Sequence, residues 1–348
     1  MTLTDRRFDI DWLRVIAIGL LLIYHITIGF QPWGVFIGFI QNNEPLEWIW
    51  LPMSMLNVWR IPLLFFVSGM GVFFAIRRRD WKQLLIERSK RILLPFIFGI
   101  LAIVPLHMFL WQGYYQQDLD YSVNPGHLWF LGNIFVYVLL FSPVFFYLKR
   151  NPDGKIQQTL SKLLSNPLGL FVLMIPFVAE AELVKPEAFE LYAMTWHGFW
   201  LGMVAFVAGF LCVYSGLSFW KNVTKWRWLL LGLAVLIYSI RLIEFELKSP
   251  DYMMAIESNL WIFTVFGFGH KYLNRPSGTL KYLSTAAYPI YVLHMVFLYL
   301  ASVLFFELEI EVHLKLILVI AFTFVSTFAF YELFIRRFKI VKPLFGLK

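Results

Sequence analysis

Charge is scarce in this 348-residue chain. Asp, Glu, Lys and Arg make up 15% of it, against about 25% in soluble domains. Cysteine is nearly absent: the single Cys212 excludes an internal disulfide and any multi-cysteine metal site. No Gly-rich phosphate loop occurs, which argues against nucleotide hydrolysis. No His-x-x-x-His pair offers two ligands from one helix face, and no metal is expected. Internal repeats and low-complexity linkers are not visible either. What remains is apolar: 59% of the residues are hydrophobic and the mean hydropathy is +0.68. A soluble fold cannot hide that excess, because it must also cover a surface.

A membrane-spanning helix needs about 20 apolar residues. Runs of that kind occupy 10–30, 58–76, 92–111, 127–148, 167–183, 197–215, 228–245, 254–270, 282–306 and 314–335. The expected fold is therefore all-α: a polytopic membrane protein with about ten transmembrane helices. Residues 1–348 are expected to form one ten-span domain with no soluble domain. The first run has no small-residue cleavage site after it and reads as a retained anchor. The Trp-rich stretch 46–57 is expected to lie in the interface as a short amphipathic segment.

Alternating the connections places 24 of the 30 Lys and Arg residues on one side. These are Arg6 and Arg7, the run Arg77 to Arg91, and segments 149–162, 221–227, 271–281 and 336–348. The positive-inside rule makes that side cytoplasmic, and both termini with it. The opposite loops are acidic, with Glu44, Glu47, Asp118, Asp120, Glu187 and Glu190 among others. A net charge of +8 would suggest nucleic acid in a soluble protein. Here the charge follows the bilayer, and no nucleic-acid partner is expected.

Ionisable residues inside a span are costly and functional by default. The first run carries Arg14 and His25, eleven residues apart. At about 100° and 1.5 Å per residue they share one face, about 16 Å apart along the axis. Arg14 then lies near the cytoplasmic end and His25 past the midplane. The plainer readings are that Arg14 snorkels or pairs with Asp11 at i,i+3, and that His25 is a hydrogen-bonded bundle histidine. His107, His127, His197 and His313 also map to the outer half or edge of their runs, His294 to the middle of its run. A structural role is the plainer reading for His107, His197 and His313, yet two or more of these histidines could line an outward-facing cavity. At the mouth of the third run, Arg88 and Arg91 share a helix face and can fork around phosphates. Their plainer reading is the topology signal itself.

These residues give the chain its resemblance to acyltransferase family 3, integral membrane O-acyltransferases, and most closely to the glucan succinyltransferase-like branch. The matching pieces are Asp11-Trp12-Leu13-Arg14 with His25, Trp59-Arg60-Ile61-Pro62 through Ser68-Gly69, Arg88-Ser89-Lys90-Arg91 before Pro95, Gly126-His127-Leu128-Trp129, and Ala287-Tyr288-Pro289 through His294. The resemblance implies transfer of an acyl group, acetyl or succinyl, from cytoplasmic acyl-coenzyme A to a hydroxyl of an extracytoplasmic carbohydrate or glycan. It implies His25 as the catalytic residue and Arg14, Arg88 and Arg91 as donor-binding residues. The expected location is a bacterial inner membrane.

The residues alone are compatible with that chemistry. A basic mouth suits the phosphates of coenzyme A, and the thin pantetheine arm could run along the first helix toward His25. His25 could act as general base or accept the acyl group itself. Arg60 and Trp129 are candidates for stabilising the oxyanion. Arg60, His127, Trp129 and His294 are the candidate substrate-binding residues. Two rival classes fit the architecture: a secondary transporter, and a non-catalytic membrane scaffold. The transporter lacks detectable repeat symmetry. The scaffold has no use for Arg14 and His25 at membrane depth.

Overall fold

The computed structural model describes residues 6–347. Lys348, counted above in the basic tail, lies outside them. Among the described residues ten long helices overlap the expected runs, α3 and α8 each beginning eleven residues before its run, so that 221–227 is helical: α1 (Phe8–Ile28), α2 (Trp50–Ile76), α3 (Trp81–Tyr114), α4 (Trp129–Arg150), α6 (Pro167–Val184), α7 (Trp196–Tyr214), α8 (Leu217–Ile243), α9 (Asp251–Tyr272), α10 (Gly278–Phe305) and α11 (Val312–Ile335). A short amphipathic helix, α5 (Lys155–Ser165), joins α4 to α6. The described residues form no strand.

Nine of the long helices are long and apolar enough to cross a membrane. The other, α9, has 22 residues but carries Glu257, Ser258, Asn259 and Thr264, all buried. A helix enclosed by protein on most sides need not present a lipid-compatible surface. The stretch 46–57 is not a separate interfacial segment. Glu47–Ile49 makes one 3-10 turn and α2 begins at Trp50. Of this stretch Ile49, Met53, Ser54 and Asn57 are buried, while Glu47, Trp48, Leu51 and Pro52 stay exposed.

Two departures from α-helical geometry interrupt α3. Ser89–Leu93 and Gly99–Ile103 are π-helical, and each stretch ends two residues before a proline, Pro95 and Pro105. Proline has no N–H, and its ring crowds the carbonyl four residues back. A wider turn relieves that crowding. The carbonyl that Pro105 leaves without its helical donor, that of Leu101, accepts from the Tyr121 hydroxyl at 2.9 Å. In α2, Pro62 does the same to Val58, whose carbonyl accepts from Tyr192 at 3.0 Å. At membrane depth such re-satisfaction is obligatory.

The chain packs as two compact units interleaved in sequence. The first comprises residues up to Ala17, Ser54–Ile86 and Asn133–Leu280. There α2 and α7 touch backbone to backbone: a Cβ on Gly69 would fall 1.8 Å from the Phe206 carbonyl oxygen. Arg241, fully buried, donates to both carboxylate oxygens of Glu257 at 2.7 and 3.1 Å and to the Ser54 carbonyl at 3.1 Å. Glu190 lies within 3.5 Å of it; burial holds that carboxyl above the usual carboxylate range. His197 bridges Glu180 and the Phe189 carbonyl, both at 3.0 Å, a structural brace. The second unit comprises Ile18–Met53, Glu87–Gly132 and residues from Lys281 onward. Its apolar core includes Ile26, Phe30, Leu298 and Phe306. Lys315 is buried beneath the loop after α1, donating to the Phe306 carbonyl at 2.8 Å.

The Arg241–Glu257 pair yields a stability test. Removing one partner of a buried ion pair leaves an uncompensated charge. Arg241→Met is expected to cost about 3–5 kcal/mol, and adding Glu257→Leu to recover most of it. Reversible unfolding in mixed micelles measures both. Wild-type stability in the single mutant would remove the ion pair as a fold determinant.

Candidate active site

The second unit gathers four imidazoles: His25 from α1, His107 from α3, His127 from the 3-10 turn before α4, and His294 from α10. His25 and His294 stack with ring centroids 5.1 Å apart and planes 8° from parallel. The edge of His127 meets His294 at 5.2 Å, and His107 meets His127 at 5.6 Å. Phe39 and Tyr299 wall the cluster, at 5.8 Å from His25 and 4.9 Å from His107. No three His, Cys, Asp or Glu side chains among the described residues are grouped to hold a metal ion.

Local sequence explains how each ring is held. His294 donates from Nδ1 to the Tyr291 carbonyl one turn back at 2.7 Å. His127 follows Gly126, whose φ of +47° lies in the left-handed region. A Cβ there would press on Val104 at 3.0 Å, so glycine suits this turn twice over. His127 is then clamped to α10 at two points. Its Nε2 donates to the Val292 carbonyl at 3.1 Å, and its own carbonyl accepts from the Tyr291 hydroxyl at 2.5 Å. The other ring nitrogen of His127, Nδ1, is buried without a hydrogen-bond partner. His107 donates from Nδ1 to the Ile103 carbonyl at 3.1 Å.

The contact that organises the cluster is His25 Nδ1 to His294 Nε2, at 2.8 Å. A carbonyl can only accept, so His294 Nδ1 carries a hydrogen. The partners of His294 are a carbonyl and another imidazole, both neutral, and a charge buried without a counterion is costly. A neutral His294 has its lone pair on Nε2. His25 must then donate from Nδ1, which leaves the lone pair of His25 on Nε2. The tautomers are assigned from this network. One backbone carbonyl on α10 thus determines which nitrogen of His25 is basic.

The other expected site residues divide between the units. In the second, Arg88 and Arg91 flank one carboxylate: Glu87 lies 3.4 Å from Arg88 Nε and 3.0 Å from Arg91 Nη1. A π-helical stretch begins between the two arginines at Ser89, and Glu87 lies within reach of both. Trp129, buried, stands two residues after His127 at the start of α4 and meets the Phe130 ring edge-on. In the first unit, Arg14 pairs with Asp11 at 3.0 Å, the i,i+3 partnership anticipated above. Arg60 is buried and reaches Asn57 at 3.4 Å. The sequence reading passed over the Glu180–His197 and Arg241–Glu257 pairs. It also passed over the clasp at the start of α1, where Asp9 binds Arg7 and His270 and the Arg7 guanidinium sits 3.7 Å over Trp220.

A family model described as an acyltransferase domain, acyltransferase 3, matches residues 7–332. No curated protein and no solved structure matches the chain.

The Glu87 geometry generates a binding prediction. Adenosine 3′,5′-bisphosphate carries the phosphate chemistry expected at this mouth. Glu87→Gln is expected to tighten its binding, because the arginines lose a competing anion. Arg88→Ala and Arg91→Ala are each expected to weaken it by about 1.5–3 kcal/mol, the worth of a hydrogen bond to a charged group. Calorimetry on purified protein reads all three. Unchanged affinity in the double arginine mutant would return this run to topology alone.

Proposed function

We propose, for a chain that belongs to acyltransferase family 3 and is therefore a membrane acyltransferase, that the acyl donor is cytoplasmic acyl-coenzyme A. The acceptor is a hydroxyl of an extracytoplasmic carbohydrate or glycan, and the group moved is acetyl or succinyl, as in the glucan succinyltransferase-like branch. The membrane is a bacterial inner membrane, with both termini on its cytoplasmic side. The observation that carries this reading is the His25–His294 hydrogen bond.

In this mechanism His25 Nε2 takes the proton of the acceptor hydroxyl as that oxygen attacks the thioester carbonyl carbon. The tetrahedral intermediate collapses with cleavage of the carbon–sulfur bond. The departing thiolate takes the proton back from Nε2, so the products are an ester and free coenzyme A. General-base assistance of this kind is worth about 10²–10⁴-fold. Arg88 and Arg91 hold the nucleotide phosphates of the donor. Arg14, three turns below His25 on α1, assists donor binding. Arg60, His127 and Trp129 serve the substrate and the oxyanion. His294 acts through His25, as a positioning residue, rather than on the substrate. A transporter or a scaffold gains nothing from a tautomer held in this way.

Two variants test the assignment. His25→Ala is expected to abolish acyl transfer, measured as free thiol released per folded molecule, with donor affinity nearly intact. Substantial residual turnover would remove His25 from the mechanism. For His294, loss of the acceptor nitrogen lets His25 adopt the wrong tautomer. His294→Leu is expected to lower kcat on the order of 10²–10⁴-fold with KM for the donor little changed, the range of general-base assistance and of tautomer misplacement in known triads. His294→Gln places an amide oxygen near the position of Nε2 and is expected to recover much of that loss. Equal kcat in the Leu and Gln variants would assign His294 to packing.

A further inference from the structure

Tyr288 lies on α10 one turn before Tyr291 and two before His294. Its hydroxyl oxygen is buried and has no hydrogen-bond partner in the protein. Three other tyrosines of the same unit are bonded. Tyr291 donates to the His127 carbonyl, Tyr299 to the Gly38 carbonyl at 2.5 Å, and Tyr121 to the Leu101 carbonyl. A buried hydroxyl left unpaired forfeits its hydration for nothing. Phenylalanine would pack the same space without that penalty.

The surroundings of this hydroxyl are specific. The C-terminal tail closes over the Tyr288 ring: a Cβ on Gly346 would fall 2.7 Å from Tyr288 Cε1 and 2.9 Å from the Arg91 carbonyl oxygen. The adjacent Phe345 is buried, with its ring 5.5 Å from Phe98. Six residues, about 9 Å of helix rise, separate Tyr288 from His294. The unpaired donor therefore stands beside Arg91 at one end and two helical turns from the His25–His294 pair at the other.

We propose that the Tyr288 hydroxyl binds the pantetheine arm of the acyl donor, donating a hydrogen bond to one of its two amide carbonyls. The arm links a polyanionic nucleotide to a thioester, and its amides are its neutral acceptors. A neutral donor placed along α10 between Arg91 and His294 matches that order of groups. This assignment rests on the acyl-coenzyme A reading above and adds to it a residue that recognises the arm rather than the phosphates.

The experiment titrates wild type, Tyr288→Phe and Arg91→Ala with two probes. Coenzyme A carries the arm; adenosine 3′,5′-bisphosphate does not. Tyr288→Phe is expected to weaken coenzyme A binding about 3- to 10-fold, the worth of one neutral hydrogen bond, and to leave nucleotide binding unchanged. Arg91→Ala is expected to weaken both. The thermal midpoint of Tyr288→Phe should equal or exceed that of wild type, since no intramolecular bond is lost. Unchanged coenzyme A affinity in Tyr288→Phe, an equal fall for both probes, or a marked loss of thermal stability would each overturn the Tyr288 assignment alone. Failure of wild type to bind coenzyme A or acyl-coenzyme A would overturn the donor reading, and this assignment with it.

Discussion

In a bilayer, a polar group has no water to fall back on, and its partner must come from the protein. That constraint accounts for most of the irregular features of this fold. Proline residues inside α2 and α3 free the Val58 and Leu101 carbonyls, and tyrosines from elsewhere in the same unit bond to them. Arg241 has both oxygens of one carboxylate and a backbone carbonyl. Lys315 finds the carbonyl at the end of α10. In each case a side chain expensive to bury is placed where another element has a backbone or carboxylate oxygen to spare. The fold is held in register by these pairings as well as by the apolar contacts around them.

The same constraint supplies a chemical asymmetry to His25. An isolated imidazole exchanges freely between two tautomers, and a base aimed by either nitrogen is aimed by neither. Here a carbonyl that can only accept holds the proton of His294 on Nδ1, and that ring passes the instruction on through Nε2. In the proposed mechanism the general base is thus positioned without a carboxylate, the usual third member of such an arrangement. A carboxylate at this depth would itself have to be desolvated and paired. A helix carbonyl carries no net charge, so using it avoids that cost.

The fold was legible because lipid imposes a coarse pattern. Apolar runs of about twenty residues and alternating basic loops locate ten helices with little ambiguity. α9 shows the limit of that pattern. Its buried Glu257, Ser258 and Asn259 lower its apolar character, yet it is a 22-residue helix packed largely in protein. The π-helical stretches of α3 were not legible. Five residues are too few to shift a periodicity, although the two prolines that accompany them stood in plain view. At the site, His25 and Arg14 stood out as polar residues on one face of an apolar helix. Their environments did not: that His294 lies against His25 depends on packing between residues 269 positions apart. Arg241 and Glu257 escaped notice for the same reason, since neither has its counterpart on its own helix.

Glu87 poses the question of why a pair of arginines proposed to hold phosphates should already face a carboxylate. Two neighbouring guanidinium groups repel each other, and Arg88 has little access to solvent. A bridging carboxylate keeps both in place when no donor is bound. It also sets a threshold. On the proposed reading a ligand has to offer the arginines more than a single negative charge to replace it, and a nucleotide carrying several phosphate charges would do so where a lone carboxylate or a monoanionic headgroup would gain little. Discrimination of this kind comes from competition as much as from attraction. Under the donor reading proposed above, the acid in the arginine run would favour polyanionic donors over the singly charged anions that any basic membrane surface collects.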